Sequence, residues 1–170
     1  MNKPVAAPVS ARRWAVDVEH STATFTVVKL GHTVTGTVPI REGSVSFGQD
    51  GGLELAKGVA ELSLIDTGNM RRDLDLRKPR FLDLDNHPVA AFVASDAVAT
   101  ATGWRVAGHL TVRGNSAMVY FDVTLDGTGE EVSLCGTAVF DRRDLGIKAP
   151  RLLIGRTITM TVRARLVPVA

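Results

Sequence analysis

The sequence predicts a mainly β protein of about eight antiparallel strands, interrupted by one short helical insert. Three observations predict it. Apolar residues recur at every second position through most of the chain, as they do in strands with one buried face. Turn sequences (FGQDGG, ATGW, RGNS, DGTGEE and KAPR) separate the runs at the short spacing of antiparallel neighbours. One stretch, residues 69–86, fits neither alternation nor the length of a strand.

The elements follow in order. Trp14, Val16 and Val18 alternate with Ala15, Asp17 and Glu19, and Ala23, Phe25 and Val27 then alternate with threonines. Val34, Gly36, Val38 and Ile40 continue the pattern, and a short run with Val45 and Phe47 ends at the glycine-rich turn. Residues 53–65 read as one longer strand with Ala60, Leu62 and Leu64 on one face. Met70, Leu74, Leu76, Phe81, Leu82 and Leu84 then break the alternation, with charges between them. That mixture predicts one or two helical turns stopped at Pro79. DNHP ends the excursion and VAAFVAS resumes as a strand. Four further runs complete the set, around Leu110, Phe121, Phe140 and Met160.

Such strands fit a closed barrel or a two-sheet sandwich. Gly36, Gly108 and Gly136 fall inside strand patterns, where glycine marks a bend or a bulge. A closing barrel needs such corners, so the pattern favours the barrel.

With 170 residues, 45% of them hydrophobic and 22% charged, residues 12–168 read as a single domain behind a flexible tail, residues 1–11. The formal charge of +2 and the 5% aromatic content give no footprint for nucleic acid. Arg71, Arg72, Arg77, Lys78 and Arg80 are interleaved with Asp73, Asp75, Asp83 and Asp85, which makes a solvated face. Cys135 is the one cysteine, and its apolar neighbours read it as a small buried hydrophobe. Pro4 and Pro8 break the only apolar run near the start, and no stretch is long enough to span a bilayer. The expected location is therefore the cytoplasm.

Two short segments raise a catalytic possibility. Asp66-Thr67-Gly68 is the triplet of aspartic proteases, and RLLIGRTI (residues 151–158) looks like the aliphatic-Gly-Arg segment of the retroviral type. That reaction needs two carboxylates sharing a proton, hence a homodimer here. Asn69 follows the triplet where the cramped loop takes Ala or Ser, and TITMTVRARLV alternates as a strand where a helix should stand. Asp66 and Thr67 are better read as residues whose side chains cap the helical turns after them.

His20, His32, His87 and His109 are far apart in sequence, with no paired ligand spacing for zinc. DLDNH lacks the ligand spacing of a calcium loop. No G-x-S-x-G elbow, P-loop or dinucleotide fingerprint occurs. No metal, no cofactor and no catalytic residue is therefore expected. An enzyme acting on a bound lipid would have to use His32, His109 or an acid as proton carrier.

The order of elements resembles the YceI-like family of polyisoprenoid-binding proteins, from about Trp14 to Leu166. Asp17, His20-Ser21 and Phe25 stand at the family's first motif. Thr67-Gly68-Asn69, Arg72-Asp73, Leu76, Phe81 and His87-Pro88 stand at its second. Gly108–Gly114 matches the G-x-L-T-x-R-G turn, and Arg142 or Arg143 through Ile147 matches R-x-D-x-G-I. Members often carry an export signal, and this sequence shows none. Phe81-Leu82 replaces a more aromatic pair, and Leu145 stands for Phe.

The resemblance implies an extended, lipocalin-like antiparallel barrel that holds an isoprenoid chain, such as a polyprenyl or an isoprenoid quinone, without catalysis. Expected partners are that lipid and at most a transient membrane contact; a homodimer is left open. The inward side chains expected to line the interior are Phe25, Val27, Val38, Leu62, Leu64, Phe92, Leu110, Val119, Phe121, Phe140, Ile158 and Met160. Met70, Leu74 and Phe81 are expected to line or cover the mouth. Each of these residues is equally readable as close-packed core.

Overall fold

The computed structural model describes residues 12–29, 31–128, 131–147 and 155–169. The alternating runs form β1 (Arg13–Lys29), β2 (His32–Phe47), β3 (Leu53–Glu61), β4 (Val89–Ala99), β5 (Trp104–Val112), β6 (Asn115–Thr128), β7 (Glu131–Asp141) and β8 (Thr157–Pro168). Each strand pairs antiparallel with the next, and β8 pairs back onto β1, so the sheet closes into a barrel in sequence order. Closure leaves no strand with an unpaired edge along the ring.

The long strands bend where their alternation changes phase. In β1, Trp14 and Val16 point inward, and so do Ala23, Phe25 and Val27, which requires a slip of one residue between them. The register of β1 shifts between Asp17 and Thr22 against β8, and irregularities follow at Arg41 in β2 and Ser95 in β4. Such bulges strengthen the local twist that curls a sheet shut. The separate runs at residues 14–19 and 22–28, and at 34–40 and 45–47, are thus single bent strands.

One end of the barrel carries the insert. The strand expected over residues 53–65 stops at Glu61, and Leu62–Leu64 form a 3₁₀ turn that carries the chain off the sheet. Residues 65–67 then cross back over the mouth. Thr37 and Asp66 exchange two backbone hydrogen bonds, of 2.8 and 2.9 Å. Gly36 makes that crossing possible, since a Cβ there would stand 2.9 Å from Ile65 Cδ1 and 3.3 Å from Thr67 Cγ2.

Helix α1 (Met70–Leu76) follows, and turns lead to Pro88. Its cap is Asn69, whose side-chain oxygen accepts the Arg72 N–H at 3.0 Å. The capping expected of Asp66 and Thr67 is thus made by Asn69. The Asp66 carboxylate accepts the Gly68 N–H at 2.8 Å, and Thr67 bonds Asp73.

The tight β5–β6 turn places Arg113 and Gly114 at φ of 55° and 74°, the left-handed pair that matches strand twist. Arg142–Leu145 form a second 3₁₀ turn after β7, at the same end as the insert. The tail at 1–11, part of DGTGEE, the KAPR turn and Leu152–Ile154 before the last strand lie outside the described residues.

Candidate functional site

Inward side chains do not fill this barrel. Among the described residues, two apolar cavities occupy its interior. Counting space open to solvent at their mouths, the first, at the insert end, spans about 940 Å³ and the second, toward the far end, about 820 Å³. They adjoin: Ile158 lines the first and Met160 the second, two residues apart on one face of β8. Phe25, in the first, is the cross-strand partner of Met160.

The sequence-expected residues distribute between them. Phe25, Val27, Leu62, Phe140 and Ile158 line the insert-end cavity, and Phe81 closes it from the insert. Phe92, Leu110, Phe121 and Met160 line the far cavity. Val38 and Val119 are fully buried core and line neither.

Three expectations are corrected. Leu64 is 63% exposed, because the 3₁₀ turn breaks the alternation that would have carried it inward. Met70 and Leu74 are 80% and 59% exposed. They share the solvent side of α1, four residues apart, while Leu76 reaches the cavity. Cys135 is half-buried on the outer side of β7, since Leu134 and Gly136 take the inner positions.

Several wall residues escaped sequence reasoning. In the insert-end cavity these include Ile65, Leu76, Leu82, Leu145 and Ile147, all from turns or the insert, where no periodicity signals a buried face. In the far cavity Val16, Ile40, Val45, Val106 and Leu166 were readable, since each continues an alternation already recognised.

Among the described residues Thr67, Arg72 and Arg142 are the polar members of the insert-end wall, and almost none of their polar surface is turned into the cavity. Arg72 Nε donates to the Thr67 hydroxyl and Nη2 to the Thr67 carbonyl, each at 2.8 Å. Arg142 is only 6% exposed. Its Nε donates to the Gly155 carbonyl at 3.1 Å and its Nη1 to the Ile147 carbonyl at 2.8 Å. The adjacent Arg143 points out to Asp141, and its hydrogen bonds hold that carboxyl down to about 2. On the insert, a hydrogen bond from Lys78 holds Asp75 below the usual carboxylate range.

Among the described wall residues the one carboxylate is Glu42 of the far cavity, and it is exposed, as is Lys57. His109 lies on the exposed side of β5, paired with exposed Val93 and Met118. His32 is exposed at the start of β2. Asp66 is exposed and turned to Gly68, with no second carboxylate against it among the described residues. No group of three His, Cys, Asp or Glu side chains is placed to hold a metal among the described residues. No helix there is long and apolar enough to cross a membrane.

The model of the YceI-like domain matches residues 14–166, nearly every residue of the barrel. The chain belongs to the YceI-like family.

The motifs that carry the YceI resemblance have structural roles. Asp17, His20 and Ser21 build the β1 bulge: Ser21 Oγ donates to the Asp17 carbonyl at 2.6 Å and accepts the Arg165 N–H at 2.9 Å. His20 Nδ1 stands 2.8 Å from the Asp17 carboxylate. Of the two arginines open to the R-x-D-x-G-I motif, Arg142 is the buried one.

Relatives include a UPF0312 protein of Yersinia enterocolitica, 27% identical over 125 residues, covering 71% of this chain and 65% of that protein. A UPF0312 protein of Pseudomonas aeruginosa is 26% identical over 138 residues, covering 76% and 72%. The chain thus spans just under two thirds of the Yersinia relative. Among solved structures, BcnA of Burkholderia cenocepacia aligns with a TM-score of 0.71 at 16% identity, over 88% of this chain and 98% of that one. A polyisoprenoid binding domain from Saccharophagus degradans, implicated in plant cell wall breakdown, aligns with a TM-score of 0.71 at 15% identity, over 92% and 98%. At these identities the likeness is one of fold.

Proposed function

We propose that this protein carries or stores a long apolar chain, an isoprenoid such as a polyprenyl or isoprenoid quinone or a similar amphiphile, without chemically changing it. The observation that carries the reading is the pair of adjoining apolar cavities along the inside of a closed barrel. A chain threaded through both would remove its methylenes from water, each contributing about 0.8 kcal/mol before ordering costs. Membership of the YceI-like family and a structural neighbour described as a polyisoprenoid binding domain support the same reading. The exposed, outward placement of His32 and His109, two of the proton carriers that an enzyme acting on the lipid would draw on, supports carriage over chemistry.

Native mass spectrometry of the purified protein, followed by solvent extraction, tests the proposal. A bound mass matching an extractable long-chain lipid, or uptake of added polyprenol, is expected. Phe121→Asp, which places a charge in the far cavity wall, should abolish uptake while circular dichroism shows the barrel intact. An empty protein that takes up no long-chain lipid would overturn the reading. The same spectra report whether the chain is a monomer or a homodimer.

A further inference from the structure

Three large apolar side chains stand in water at the end of the barrel that carries the insert. Leu64, Met70 and Leu74 are 63%, 80% and 59% exposed. Met70 and Leu74 lie on the solvent side of α1, while Leu76 of the same helix lines the cavity beneath it. Arg77 Nη1 donates to the Ser63 carbonyl at 2.9 Å, which ties the turn carrying Leu64 to the end of that helix. Arg71, next to Met70, and Arg80 are exposed, and neither has a carboxylate within ion-pair distance among the described residues. Of the insert's exposed acids, Asp85 pairs with Arg77 and Asp66 accepts the Gly68 N–H. The Arg80 guanidinium lies 4.9 Å over the ring of Phe81, which closes the cavity. Charge also separates the two ends of the barrel. Among the described residues, the connections at the insert end (62–88, 113–114, 142–147 and 155–156) hold nine Arg and Lys against six Asp. Those at the far end (48–52 and 100–103) hold Asp50 and no cation.

Resting on the carrier reading above, we infer that the insert end docks on an anionic lipid bilayer, with Leu64, Met70 and Leu74 set into its interface and Arg71 and Arg80 against its phosphates. Apolar side chains on one side of a helix enter the boundary between head groups and acyl chains, while arginine stems lie along it and keep their charge outside. The excess of cations at this end, against the lone acid of the far connections, orients the barrel toward a negative surface. The cargo requires the same orientation. Each methylene of a long apolar chain that crosses water on its way costs about fourfold in equilibrium, and an insert seated on the bilayer avoids the crossing. Val93 and Met118 are exposed too, but they lie on the barrel wall, on either side of His109, away from the insert.

The test is cosedimentation of the purified protein with vesicles of phosphatidylcholine, alone and mixed with phosphatidylglycerol. The protein should partition into the mixed vesicles, and the partitioning should fade as salt is added. Met70→Ser combined with Leu74→Ser should lower it at least about tenfold. Arg71→Gln combined with Arg80→Gln should lower it about fivefold or more on the mixed vesicles and leave phosphatidylcholine alone unaffected. All four side chains are exposed, so these variants keep the fold, and circular dichroism checks it. Val93→Ser combined with Met118→Ser, on the wall, should change nothing. No partitioning into either vesicle overturns the inference, and so does partitioning that the Met70 and Leu74 substitutions leave intact. Sedimentation velocity without lipid covers the other occupant: a dimer that the same two substitutions dissolve, with no vesicle binding, assigns the face to a second copy and overturns the bilayer. Uptake of geranylgeraniol from detergent micelles is measured separately. Uptake without vesicle binding overturns the docking and leaves the carrier reading standing, whereas vesicle binding without uptake overturns the carrier reading alone.

Discussion

Phe92 and Phe121 meet edge to face inside the barrel, with ring centroids 4.9 Å apart and planes at 76°. They belong to β4 and β6, and the strand between them places Gly108 beneath the Phe92 ring. A Cβ on Gly108 would stand 2.5 Å from both Phe92 Cζ and the Val93 carbonyl oxygen. The ring can turn away, but the backbone oxygen cannot. Gly108→Ala should therefore destabilise the fold by about 1–3 kcal/mol. A chemical denaturation curve reads this directly, and an unchanged midpoint would mean the strands shift apart freely.

Arg113 ties the insert to the turn after β7. Its Nη1 donates to the Gly146 carbonyl at 3.2 Å and its Nη2 to the Pro79 carbonyl. Arg113→Ala removes both bonds, at a cost of about 1–3 kcal/mol. Hydrogen exchange should localise the effect. The Leu82 and Leu84 amides, bonded within the insert at 3.1 and 3.2 Å, should exchange faster, while β6 and β7 stay protected. Uniform acceleration would instead show that the turn matters to the whole barrel.

The Asp141 carboxyl is held at about 2, below its ordinary 3.8, first by side-chain and then by backbone hydrogen bonds from Arg143. A depressed folded value means that the pair's contribution is complete above 3.8 and is lost as pH falls through about 2. Carboxyl-carbon NMR across that window should find Asp141 titrating at about 2. In Arg143→Gln the midpoint should return toward the ordinary value. A midpoint that stayed put would assign the depression to something else.

Asp66 offers a clean test of the protease triplet. Asparagine at that position keeps an oxygen for the Gly68 N–H, which Asp66 now accepts at 2.8 Å. Asp66→Asn should leave both the melting temperature and the lipid content unchanged. Peptide cleavage by the wild type that this substitution abolished would restore the protease.

Much of this architecture is legible in the sequence, because period two survives wherever a strand has one wet face and one dry face. Trp14 through Val16 and Ala23 through Val27 could be assigned for that reason, although their change of phase looked like a break between strands. What closes the insert end was not legible. Leu64 continues the alternation on paper, yet the backbone has already turned into a 3₁₀ segment. Met70 and Leu74 have helical spacing, but α1 spans only Met70–Leu76 and turns that side to solvent. Arg142 and Arg143 are neighbours of one chemical type, and which is buried depends on carbonyls at Ile147 and Gly155 that spacing does not reveal.

The closing of the ring by the pairing of Trp14 with Pro168 and of Thr26 with Thr159 also sets a timetable. The strand synthesised first cannot find its last neighbour until β8 has been made, so the decisive contact is the most distant one in the chain. Such non-local pairing slows folding and leaves β1 and β7 as open edges during synthesis. A chain cut before Thr157 would lose more than one strand. It would be an unrolled sheet with two sticky margins and a wet apolar lining, and aggregation would be its expected fate.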